Sequence, residues 1–266
     1  MLDRVKDLID PPLRDTRIVF IHVPKCGGTS IRAALDGCFK PWRATQRGSV
    51  QHLDERAARE ATTVGRVSYG GARRTLLSYH LATTDARLVH GHYRYSRAVF
   101  ERYSDTWSFI TVLRYPVERW FSNYYFNVAH TTGNEYQITA SLADHVQTER
   151  AAIAGTELVR SFADLDDSHE SRSDAAVERA VANLRDLDLV GTLEDLPGLN
   201  EAFRSRFDYP LDIPYLNVTS EVSRKPRPEV EPWIVDRVRQ FCEPDLRVFR
   251  ALFPEIAASR DGNGLT

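Results

Sequence analysis

Four strand-length apolar runs constrain this chain most: "RIVFIHV" (17–23), "ARLVHGH" (86–92), "WSFITVL" (107–113) and "LDLVGTL" (187–193). Each is rich in β-branched or aromatic residues, and helical patterns lie between them. Strands separated by helices are joined by crossovers, so the expected fold class is α/β, a mostly parallel sheet flanked by helices. In "DAAVERAVANLRD" (174–186), Val177, Ala180, Val181 and Leu184 repeat at helical spacing, with Ser173 or Asp174 as N-cap. A second amphipathic pattern over 229–252 carries Val230, Trp233, Ile234, Val238 and Phe241, and "EPD" at 243–245 is expected to end or kink it. Residues 40–80 and 127–172 have weak periodicity and are expected as partly helical excursions that wall or cover a site.

The 266 residues contain no repeat, low-complexity tract or evident linker, which predicts a single domain over 1–266. A hydrophobic fraction of 42% and a charged fraction of 27% are those of a soluble globular protein. A net charge of −2 offers no general field for nucleic acid or anionic membrane, so any anion site must be built locally. No run approaches the ~20 apolar residues of a membrane helix. "MLDRVKDLIDPPLRD" alternates charged and apolar residues without the core of a signal peptide. Cys26, Cys38 and Cys242 share no metal-ligand spacing and cannot all pair, which suits free thiols in a reducing, cytoplasmic compartment.

The first strand runs into "PKCGGTS" (24–30) and then a helical pattern. A strand, a glycine turn and a helix grip phosphate because backbone N–H groups and the helix dipole face the anion. Gly27 and Gly28 permit close approach, Thr29 and Ser30 add hydroxyls, and Lys25 adds a point charge. A nucleotide-triphosphate loop places its lysine after the glycines; here it precedes them, and no strand carboxylate suggests itself for Mg²⁺. The expected core is P-loop-like but shaped for an anion without a metal. A second strand-to-helix junction, "TVLRYPVERWFSNYYF" (111–126), places Arg114 at the strand exit and Pro116 in the following turn. An arginine at a helix N-terminus sits on the wrong side of the dipole unless it serves an anion, so Arg114, followed by Arg119 and Ser122, marks a second phosphate site.

Together these residues carry a family resemblance. "HVPKCGGTS" resembles the 5′-phosphosulfate loop of sulfotransferases that use 3′-phosphoadenosine-5′-phosphosulfate (PAPS), and "LRYPVERWFSNYY" resembles their 3′-phosphate motif. "LVGTLEDL" (189–196) and "YLNVT" (215–219) also look like this superfamily. With "HGH" at 90–92 the chain is most similar to the carbohydrate branch of heparan sulfate and uronyl O-sulfotransferases. The resemblance implies that PAPS is the co-substrate, that Lys25, Cys26, Gly27, Gly28, Thr29 and Ser30 hold its 5′-phosphosulfate, and that Arg114 and Ser122 hold its 3′-phosphate. Arg224 and Lys225, in "SRKPRP" (223–228), would cover the nucleotide, although a solvated basic loop reads equally well.

It further implies in-line transfer of a sulfuryl group to a hydroxyl of a carbohydrate or glycosylated metabolite, with His92 as base. Lys25 would meet charge on the leaving oxygen, and His90 would support or orient. A histidine titrates near neutrality, and His90 and His92, two apart at a strand end, should share a face. His90 reads alternatively as a strand-end packing residue, and no third ligand suggests a metal. Cys26 is expected as a tolerated small residue, Glu194 as a residue that caps or orients a helix, and Trp42, Trp107, Trp120 and Trp233 as core. His22 is expected to pack, His52, His80, His130, His145 and His169 show no partner, and Arg66, Arg73, Arg74, Arg94 and Arg97 read as surface cations. A nucleotide-dependent phosphotransferase and a catalytically silent nucleotide-binding protein on the same fold are the rival readings. The acceptor's identity and the oligomeric state are not written in the motifs.

Overall fold

A computed structural model describes residues 13, 15–39, 49–83, 85–129, 136–165, 168–213 and 230–262. Its elements run β1 (Ile18–Ile21), α1 (Gly28–Cys38), β2 (Val50–His52), α2 (Glu55–Gly65), α3 (Tyr69–Ala82), β3 (Leu88–Gly91), α4 (Arg97–Tyr103), β4 (Ser108–Leu113) and α5 (Pro116–Ala129). They continue as α6 (Leu142–His145), α7 (Glu149–Ala154), α8 (Glu157–Phe162), α9 (Asp174–Arg185), β5 (Leu189–Thr192), α10 (Leu196–Phe207), α11 (Pro232–Leu252) and α12 (Pro254–Gly262). The chain forms two compact units that interleave in sequence: one from Met1–Val23, Gly27–Val112 and Asp186–Asn217, the other from Pro24–Cys26, Leu113–Arg185 and Val218–Thr266.

In the first unit the five strands pair in the order β2-β3-β1-β4-β5, and β1/β3, β1/β4 and β2/β3 are parallel. The α/β class with a mostly parallel sheet is therefore observed. All four residues of β1 and of β3 are buried, as expected for strands covered on both faces. Ile18 and Phe20 on one face of β1 pack with Ile110 and Val112, with Ile31 and Leu35 of α1, and with Leu199 and Phe203 of α10. At roughly 1.5–3 kcal/mol for each large side chain buried, this layer fixes α1 against the sheet. From β1 the chain crosses to β2, returns to β3 beside β1, and then reaches β4 on the other side. Loop 24–30 thus leaves the carboxyl end of β1 where the direction of winding reverses, the usual ligand crevice of open α/β sheets.

The second unit is helical among its described residues, and α11 is its hub, packed against α5, α7, α8, α9 and α12. The helix does not end at 243–245: α11 runs for 21 residues with Pro244 inside it. An interior proline costs about 3 kcal/mol, but Ile234, Val238, Phe241, Leu246, Val248 and Phe249 bury one apolar stripe on both sides of it, which offsets that cost. Asp245 adds a tertiary tie, accepting from the backbone N–H of Leu158 (2.8 Å) and Val159 (3.0 Å) at the start of α8, which has no side-chain cap of its own. In α9 the expected helix is present and Ser173 is the cap, its Oγ 3.2 Å from the N–H of Ala176. Trp107 and Trp120 lie in the core as expected, whereas Trp233, in the first turn of α11, is exposed, its indole N–H turned to Glu231.

Candidate active site

In the first unit the anion-loop helix begins at Gly28. Gly27 is its N-cap at φ 69°, with no side-chain cap and no acidic residue in the first turn. The N–H groups of Ser30 and Ile31 return to the Gly27 carbonyl (3.0 and 3.2 Å). Gly28 and Thr29 supply N–H groups that a helix leaves without intrahelical acceptors, at the positive end of the dipole. Thr29 is exposed and Ser30 half-buried, so both hydroxyls stay near the surface. Gly27 needs its left-handed backbone, and a Cβ there would also meet Leu193 at 2.4 Å. At Gly28 the expected reason was room for a ligand. The structure gives another: a Cβ would sit 1.6 Å from Nε2 of His22, so the missing side chain makes room for that ring.

His22 heads a cluster that the sequence did not reveal. Its ring stacks on Phe20 (5.6 Å) and lies 4.3 Å from that of His92. His52 of β2 and His90 of β3 are register partners, their rings 4.8 Å apart. His90 is buried, with Nε2 3.7 Å from Oδ1 of Asp36. Gly91 (φ 154°) closes β3, and His92 lies beyond the strand with its side chain 29% exposed, so the two histidines stand in different environments. Nδ1 of His92 is 2.8 Å from the carbonyl oxygen of His22. A carbonyl only accepts, so Nδ1 carries a proton, and in the neutral ring Nε2 is the basic nitrogen. Nε2 faces Glu55 Oε1 at 3.7 Å, and Arg73 donates to the His92 carbonyl. Burial, reinforced by His92, His90 and Arg32, holds the His22 imidazole well below its usual range, and burial followed by Arg32 lowers His52. Among the described residues no three His, Cys, Asp or Glu side chains are arranged to hold a metal ion.

The second unit carries Lys25, Arg114 and Ser122. Lys25 adopts φ 69°, rare for a residue with a side chain, and its Nζ lies 3.5 Å from the centroid of the Phe126 ring. Burial and then the Arg114 guanidinium lower its ammonium to about 8, against a smaller opposite pull from Cys26. No carboxylate pairs with Lys25 among the described residues. Glu118, Ser122 and Phe126 recur every fourth position of α5 and share one face of it. Arg114, just before this helix, contacts Glu118 at 3.4 Å. Arg119, read with Arg114 and Ser122 at the second phosphate site, is instead 2% exposed and donates to the Ala154 carbonyl, because it follows the buried face of α5. Cys26 is buried with its Sγ 3.9 Å from the Pro24 carbonyl, which turns the thiol into the protein.

Several lesser expectations shift. Arg73 is buried and stacked on Tyr69, not a surface cation, and Arg97 pairs with Asp186 at 2.8 Å. Glu194 accepts from the Thr192 hydroxyl, while the cap of α10 is Asp195, 2.9 Å from the N–H of Gly198. His145 packs on Trp120 and Tyr124. Arg224, Lys225, Trp42, His130 and "YLNVT" lie outside the described residues, as does the side chain of His169.

No family model matches the chain, and no curated protein does. The crystal structure of a sulfotransferase from Alicyclobacillus acidocaldarius is similar over 90% of this chain and 96% of its own, at 15% identity and a TM-score of 0.46. At that identity and score no residue's role is carried across.

Proposed function

We propose that this chain, as one catalytic domain over 1–266, is an O-sulfotransferase that moves the sulfuryl group of PAPS to an acceptor hydroxyl. The observation that carries the reading is Lys25: a half-buried ammonium set over the Phe126 ring, destabilised by burial and by the Arg114 charge, with no carboxylate partner among the described residues. In the second unit an ammonium depressed by a guanidinium, and in the first an uncapped helix N-terminus, each favour an anion. Bound, the donor supplies an activated sulfuryl whose bridging S–O bond breaks as the acceptor oxygen bonds to sulfur. Lys25 neutralises the bridging oxygen that departs with the nucleotide, and the N–H groups of Gly28 and Thr29 with the Ser30 hydroxyl stabilise the anionic oxygens. Cys26 and Gly27 contribute backbone to this loop. His92 takes the acceptor proton on Nε2, the atom left basic by the bond from Nδ1 to the His22 carbonyl. His90, buried beside Asp36 and His52, supports the cluster. Arg114 and Ser122 hold the 3′-phosphate, with Arg224 and Lys225 as covering cations.

A carbohydrate or glycosylated acceptor and a cytoplasmic, bacterial setting belong to the same proposal. The exposed ring of Phe126 beside Lys25 suits the apolar face of a sugar.

The test is calorimetric titration with adenosine 3′,5′-bisphosphate in the absence of Mg²⁺, with Mg²⁺·ATP as comparison. Wild type should bind the bisphosphate without metal. Arg114→Ala should bind it ten- to a hundredfold more weakly, about 1.5–3 kcal/mol for lost bonds to a charged group. A preference for Mg²⁺·ATP would move the reading to a phosphotransferase.

The pH dependence has a definite sign. Below about 8 free Lys25 is charged; above it the free ammonium loses its proton while a bound anion would retain it. Bisphosphate affinity is therefore expected to fall by about twofold between pH 7 and 8, where the phosphates are almost fully ionised, and by up to about tenfold per unit above that. Lys25→Arg, which stays charged, should flatten the curve; an unchanged slope would remove Lys25 from the site.

A further inference from the structure

Glu118 is the acidic residue in the first turn of α5, and two arginines share it. Arg114 Nη2 lies 3.4 Å from Oε2, and Arg260 Nη1 lies 2.8 Å from Oε1, so each carboxylate oxygen meets its own guanidinium. Arg260 comes from α12, the last described helix, and belongs to none of the motifs read from the sequence. Its neighbour Asp261 is engaged elsewhere, accepting from the Tyr115 hydroxyl at 2.5 Å and from Arg250 Nε at 3.1 Å. The side chains of Arg114 and Glu118 are 20% and 21% exposed, and that of Arg260 is 42% exposed, so none of the three is sealed from solvent.

Two guanidiniums on one carboxylate make the donor set that also fits a phosphate monoester, which offers one more oxygen and up to one more charge. The trio carries a net charge of +1, and Lys25 adds to the field felt at Arg114. A dianion would therefore gain more there than the single carboxylate does. We infer that Arg260 is a second phosphate-binding arginine, held with Arg114 by Glu118 until the 3′-phosphate of the nucleotide replaces that carboxylate. The inference rests on the donor reading above and extends it by a residue and by an acidic placeholder. Arg260 acts on donor specificity: it recognises the group that separates a 3′,5′-bisphosphate from an ordinary 5′-nucleotide.

The experiment titrates the full chain with adenosine 3′,5′-bisphosphate and with adenosine 5′-monophosphate, for wild type, Arg260→Gln, Glu118→Gln and Arg114→Ala. Arg260→Gln should weaken the bisphosphate about tenfold, the effect of losing one charge-assisted contact, and change the monophosphate by less than about twofold. Glu118→Gln, which removes the competing charge, should bind the bisphosphate more tightly than wild type. Equal losses on both nucleotides in Arg260→Gln, or weaker bisphosphate binding in Glu118→Gln, would overturn the inference. A wild-type preference for the bisphosphate that Arg114→Ala abolishes and Arg260→Gln leaves intact would overturn the inference alone. A wild type that does not distinguish the two nucleotides would instead remove the donor reading on which it stands.

Discussion

Gly28→Ala should lower the thermal unfolding midpoint by about 2–12 °C, although alanine is normally the better helix residue by up to about 1 kcal/mol. The sign is reversed by one neighbour. A Cβ at Gly28 would lie 1.6 Å from Nε2, 2.0 Å from Cδ2 and 2.2 Å from Cε1 of His22, so the whole ring must move. That ring has little freedom, being stacked on Phe20 and set against His92. Overpacking of this kind costs typically 1–3 kcal/mol, which converts to the stated shift at roughly 2–4 °C per kcal/mol for a chain of this size class. Gly37 in the same helix is the control, because a Cβ there meets nothing within 4 Å and Gly37→Ala should be neutral or slightly stabilising. In a Gly28→Ala/His22→Ala double variant the ring is gone and most of the loss should be recovered. Stabilisation by Gly28→Ala alone would mean that the His22 ring is not held against Gly28.

The strands flanking the candidate site were legible because β-branched and aromatic runs bounded by turns have few other uses; β1, β3, β4 and β5 fall inside the four runs read from the sequence. β2 was not legible. "VQH" is only three residues long, half-exposed, and becomes a strand by pairing with β3, which no local pattern announces. The same register explains why His52 and His90 were not read as neighbours. They lie 38 positions apart, and only the parallel pairing of β2 with β3 sets their rings edge to face. That Pro244 does not end its helix has the opposite reason: its local cost is real, but tertiary burial along α11 exceeds it. In the anion loop, position and residue type were legible, whereas the use of Gly28 was not, because a glycine does not record which neighbour occupies its space. Arg260 stayed invisible because no spacing relates the last helix to Arg114; a shared carboxylate does.

His92→Ala should reduce sulfuryl transfer by about 10²–10⁴-fold, the usual worth of a general base, while leaving the affinity for adenosine 3′,5′-bisphosphate within about twofold. The split follows from geometry within the first unit. Nδ1 is committed to the His22 carbonyl at 2.8 Å, so the ring's one basic atom is Nε2, which faces outward toward Glu55 on a side chain 29% exposed. A base oriented by a backbone carbonyl has its tautomer fixed before any acceptor arrives, which removes one unfavourable step from proton transfer. His90→Ala is the informative companion. With a ring 3% exposed and packed on His52, it should cost stability first and lower transfer mainly through the shape of the cluster. The measurement follows transfer of labelled sulfuryl from donor to a panel of saccharide and phenolic alcohols, with bisphosphate binding determined on the same preparations. His92→Ala with wild-type transfer would assign the proton to another group, Glu55 being nearest at 3.7 Å from Nε2. Equal losses of transfer and bisphosphate binding would make His92 a residue of the donor site. Lost transfer with intact binding is the outcome that a fixed tautomer and an open Nε2 require.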